Sequence, residues 1–123
     1  MRVPTICLLA AFAASPAAAE AMKVGDLGSV SSRQACMTSA RTVLEQYLTA
    51  HGGLTVTGEP EAAEGWSIYG WALRPGDNDV VIMCPIVAGQ PHAFYAIHAD
   101  GERAVENADT AAGRIRELWD GLR

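Results

Sequence analysis

The chain of 123 residues lacks nearly every short pattern that announces an enzyme. It contains no Gly-x-Ser-x-Gly elbow, no His-Glu-x-x-His pair and no phosphate-binding glycine loop. Cys-x-x-Cys is missing too, which argues against a thioredoxin-like redox centre. No run of five or more basic residues occurs, so nucleic acid and anionic membrane surfaces are poor partners. Internal repeats, linkers and low-complexity tracts are absent beyond the first 21 residues, which leaves one domain.

Those first residues, "MRVPTICLLAAFAASPAAAEA", have the order of a cleavable secretory signal. Arg2 supplies the positive start, Val3 to Ala14 an apolar run, and Ala17 to Ala19 the small residues before a cut. The apolar run is too short to span a bilayer, so no membrane anchor is expected. Cys7 lacks the preceding Leu and small residues of a lipoprotein site. Cleavage after Ala19 or after Ala21 both fit, which makes 1–21 the signal and 22–123 a single small domain. Without Arg2, eight Lys/Arg face fourteen Asp/Glu, a net charge of −6 if the cut follows Ala19. The expected location is periplasmic or secreted.

In the remaining chain, Glu20 to Val30 shows no clear period and reads as a loosely docked lead-in. A helix follows, with Ser31 and Gln34 as a capping box and Gly52 as its stop. Cys36, Ala40, Val43, Leu44, Tyr47 and Leu48 share one face of it. Strands are predicted at "GLTVTG" (53–58), "WSIYGWAL" (66–73), "DVVIMCPIV" (79–87) and "HAFYAIH" (92–98). Apolar steps of three and four from Ala104 to Leu122 predict a second helix over about 102 to 122. The expected fold is α+β in two layers, α-β-β-β-β-α: an antiparallel four-stranded meander with both helices on one face.

Removing Cys7 with the signal leaves Cys36 and Cys84, an even pair in a chain bound for an oxidising compartment. If residues 75–78 and 88–91 form the hairpin loops, Tyr69, Trp71, Leu73, Val80, Ile82, Cys84, Ile86, Ala93, Tyr95 and Ile97 share the apolar face. Cys84 then looks toward the same interior as Cys36, the geometry of a disulfide. A free thiol and a metal ligand are the weaker alternatives, since His92 and His98 fall on the opposite face. Pro85 has no N–H for a ladder, and a bulge there would reverse one flank of the strand.

The same register places Trp66, Ile68, Ala72, Val81, Met83, Val87, His92, Phe94 and His98 on the second face. With both helices on one side this surface meets water, and its apolar content suits a partner. The plainer alternative is that a helix or the N-terminal segment covers it. Trp66, Ile68, Met83, Phe94, His92 and His98 are the candidate partner-binding residues. His92 and His98 are about 20 Å apart along one strand, too far to share a metal. His51 reads as an interaction with the last carbonyls of its helix, and Glu59, Glu61 and Glu64 as a solvated turn. No cofactor, metal or catalytic group is expected. The expected function is an exported, non-enzymatic module that binds another protein or itself, as inhibitors and immunity proteins do. A ligand pocket lined by Trp71, Tyr69 and Tyr95 is the alternative.

Overall fold

Helix α1 runs over Arg33–His51 in the computed structural model, which describes residues 20–62 and 65–123. It starts one residue later than the capping box predicts. Ser32 is the cap, its hydroxyl accepting from the Ala35 amide at 3.0 Å. Gly52 ends the helix as expected, with φ at +92° and its N–H donated to the Leu48 carbonyl. The buried stripe comprises Cys36, Met37, Ala40, Val43, Leu44 and Tyr47. Helix α2 spans Ala104–Asp120 and buries Ala104, Ala108, Ala111, Ala112, Ile115 and Trp119. Their three- and four-residue steps keep them on one face.

The strands are β1 (Glu20–Ser29), β2 (Thr55–Thr57), β3 (Ser67–Leu73), β4 (Asn78–Met83), β5 (Ile86–Val87) and β6 (Gln90–Asp100). They lie in the order β1-β6-β4-β3-β2, with antiparallel pairing throughout and β5 beside β6. The predicted meander is present as β2, β3, β4 and β6. The addition is β1: where the sequence suggests a loose lead-in, a ten-residue strand pairs with β6, with Leu27 skipped at a register shift, and extends the sheet. Gly25 and Gly28 hide this strand by breaking its alternation. Gly25 sits opposite Tyr95, and a Cβ there would lie 2.3 Å from the phenol ring. The glycine is what lets Tyr95 fold over β1. The predicted signal, apart from Glu20 and Ala21 at the start of β1, lies outside the described residues, as does Glu64 of the acidic loop.

Both helices cover one face of the sheet. The core there gathers Val56, Ile68, Leu73, Val80, Ile82, Ala93, Tyr95 and Ile97 against the helical stripes. Cys36 and Cys84 are fully buried and bonded, with Cα atoms 5.9 Å apart and a sequence separation of 48. The bridge fastens the first turns of α1 to the end of β4.

Two irregularities decide which side chains face that core. Between β3 and β4, Leu73 pairs with Asn78 but Gly70 pairs with Val80, so Trp71 and Ala72 together oppose Asp79. This is a β-bulge, with Ala72 at φ +50° and its N–H bonded to the Asp79 carboxylate at 3.0 Å. Every β3 residue before it is reversed relative to the plain hairpin the sequence suggests. Ile68 and Gly70 therefore point into the core, while Tyr69 and Trp71 point out. At Pro85 the outcome is the opposite. The ladder is interrupted there, yet β4 and β5 keep one offset against β6: Ile82 faces Tyr95 and Ile86 faces Pro91. His92 donates to the Pro85 carbonyl at 2.9 Å, and Cys84 donates to the Trp66 carbonyl at 2.7 Å. The turn into β6 is two residues, Ala88 and Gly89, both at positive φ, rather than four. That moves the pairing by two positions, which leaves the faces of β4 and β6 unchanged.

Candidate functional site

With the helices on one side, the other face of the sheet is bare. Pairing carries its rows across the strands. Thr57, Tyr69, Val81, Ala96 and Val24 form one row through β2, β3, β4, β6 and β1. Thr55, Trp71, Asp79, His98 and Met22 lie along the next, with the bulge between Trp71 and Asp79. Ser67, Met83, Phe94 and Asp26 form a third. Met22 and Val24 are 67% and 71% exposed, the most open large hydrophobic side chains among the described strand residues. Tyr69 and Trp71 are stacked, with ring centroids 5.5 Å apart and planes 10° apart. The Trp71 indole N–H donates to the Thr57 hydroxyl at 2.9 Å, which holds the ring flat on the face. His92 and Phe94 stack in the same manner, at 5.5 Å and 20°.

Four of the six candidate partner-binding residues stand on this face: Met83, Phe94, His92 and His98. Two do not. Ile68 is completely buried in the core, because the bulge at Ala72 reverses its strand. Trp66 precedes β3 and borders the helix layer, with the Arg33 guanidinium carbon 5.4 Å from its ring centroid. In their places the structure presents Tyr69 and Trp71, together with Met22 and Val24 from β1. No signal in the sequence marks the last pair without knowing that β1 joins the sheet. Asp79 next to an Asn-containing turn is the only trace of the bulge.

The electrostatics of the two faces differ. Among the described strand residues the only Lys or Arg is Lys23, and it is directed to the helix side, where its Nζ meets an Asp109 carboxylate oxygen of α2 at 2.6 Å. The hydrogen bond to Asp109 raises the Lys23 pKa, with burial opposing it. On the open face, the charged strand residues are Glu20, Asp26, Asp79 and Asp100, all acidic. They frame the apolar rows at the rim and at the bulge.

The pocket expected between Tyr69, Trp71 and Tyr95 is not formed. Tyr95 faces the helices and the other two face away. What remains beside Tyr69 and Trp71 is a depression of about 160 Å³, lined also by Asp79 and Val81. A second hollow of about 320 Å³ lies between the start of α1 and the end of α2, bordered by Ser31, Ser39 and Trp119. The disulfide agrees with an oxidising, extracytoplasmic location. Among the described residues no helix is long and apolar enough to cross a membrane. No protein family, curated protein or solved structure matches the chain.

Proposed function

We propose that this is an exported, non-enzymatic binding module whose open sheet face docks a partner protein. The observation that carries the reading is the helix-free platform of exposed Met22, Val24, Tyr69 and Trp71 with half-buried Val81, Met83 and Phe94 between them. Apolar surfaces of this extent with aromatic and methionine content characterise interaction sites. The acidic residues that frame it choose the partner's chemistry: an apolar surface bordered by Lys and Arg. Such a partner gains steering from the charge and affinity from the buried rings. A second copy of this chain fits less well, since it brings its own acidic frame against the first. Small-ligand binding is also less favoured, because the depression on this face falls below the usual 300–1,000 Å³ of ligand sites.

The experiment compares the intact protein with Phe94→Asp and Trp71→Asp. Captured partners from the extracytoplasmic fraction are purified and titrated back by calorimetry. Binding should be lost in both variants with the fold retained, and should weaken as salt rises. A partner bound equally by the variants, or without salt dependence, rules the reading out. Dimerisation of the protein alone would assign the face to self-association instead.

A further inference from the structure

The corner of the open face where β1 meets the end of β6 holds three potential metal ligands. Glu20 lies directly across from Asp100, and His98 is two residues before Asp100 on the same face of β6. The His98 Nε2 is 3.5 Å from an Asp100 carboxylate oxygen and 4.0 Å from one of Glu20. All three ligand atoms lie within 4.8 Å of one another. Donors held about 2.0–2.2 Å from a tetrahedral ion stand roughly 3.4 Å apart, so small side-chain rotations close the set.

Charge gives an independent reason. Asp79 is the β4 register neighbour of His98, so this corner of the sheet carries three carboxylates to one imidazole. The one Lys or Arg among the described strand residues, Lys23, is engaged with Asp109 on the other face. Carboxylates placed directly opposite on paired strands repel. A dication at their centre removes that repulsion.

We propose that Glu20, His98 and Asp100 form a binding site for a divalent transition-metal ion of the Zn²⁺ class, with one nitrogen and two oxygen ligands and a fourth position open to water. One imidazole with two carboxylates is a donor set that suits Zn²⁺ and its neighbours better than soft Cu⁺. The site depends on the strand character of β1, and it stands or falls separately from the docking role of the face.

The test is a calorimetric titration of the protein, free of any polyhistidine tag, with ZnCl₂. Intact mass must show that Glu20 is retained. One ion per chain is expected, with a rise in melting temperature of about 5 °C or more at zinc ten times its Kd, reversed by chelator. His98→Gln and Asp100→Asn should each weaken binding about tenfold or more with unchanged circular dichroism. His92→Gln and His51→Gln should leave it intact. Absence of binding to the intact protein, binding that survives His98→Gln, or a mature chain that begins after Glu20 would overturn the site.

Discussion

The two faces of the sheet are made from the same strands and differ in almost everything else. The covered face carries Ile68, Val80, Ile82, Ala93 and Ile97, nearly inaccessible, beneath two helices and a disulfide. The open face carries side chains of comparable apolarity, exposed Val24 and half-buried Val81, Met83 and Phe94, with neither helix over them. Its additions are aromatic pairs, imidazoles and a frame of carboxylates. The contrast shows that apolar content alone does not mark the core of this protein, and that what separates the faces is which one the helices reach.

Adjacent residues make the sharpest break in that comparison. Ile68→Asp places an unpaired charge in the core and should cost more than about 4 kcal/mol, enough to unfold the chain. Tyr69→Asp, one residue on, should change stability by less than about 1 kcal/mol. Urea unfolding followed by circular dichroism measures both. Similar losses at the two sites would show that the open face is covered after all.

The disulfide comes next. Cys36→Ala with Cys84→Ala should lower stability by about 4 kcal/mol on the chain-entropy estimate for a loop of 48 residues. Mass spectrometry with and without reductant verifies the bridge in the unaltered protein. A mass that reduction leaves unchanged would remove it. Gly25→Ala should cost about 1–3 kcal/mol, because the new Cβ drives Tyr95 out of its place over β1. Thermal unfolding would show it, and a neutral result would mean that β1 is not held in this register.

The smallest effect concerns Tyr47, buried beneath the Arg114 guanidinium with its hydroxyl donating to the Arg74 carbonyl. Burial raises its pKa above the ordinary value of 10, with Arg114 opposing. The stability linked to this phenol is fully present below pH 10, where the unfolded chain titrates, and is lost as pH rises through the higher folded value. Tyr47→Phe should cost about 0.5–1.5 kcal/mol at neutral pH, since Arg114 still donates to the same carbonyl at 3.0 Å. It should also flatten the alkaline decline, as stability measured from pH 8 to 11 would reveal. An unchanged decline would assign that limb to another group.

Much of this was legible in the chain. Three- and four-residue spacing disclosed both helices, and alternation disclosed the inward residues of β4 and β6. Compartment and count singled out Cys36 and Cys84. The faces of β6 survived a wrong turn length because the pairing moved by two positions, and a strand's side chains repeat every two. The faces of β3 did not survive, because the bulge adds one residue and reverses the parity. The proline that draws the eye, Pro85, interrupts a ladder without changing its register. The residue that does the reversing, Ala72, has nothing unusual in its side chain.

Local pattern thus determined the element types, the helix faces and the disulfide, since each depends on spacing within a short stretch or on counting. Tertiary structure alone decided the bulge, the recruitment of β1 and the identity of the open face. Those depend on partners outside the local pattern: the Asp79 carboxylate for Ala72, and the distant ladder partners Tyr95 for Gly25 and Asp100 for Glu20. A glycine-broken segment such as β1 has too little side-chain pattern to declare itself a strand. It becomes one because the exposed edge of β6 supplies its ladder.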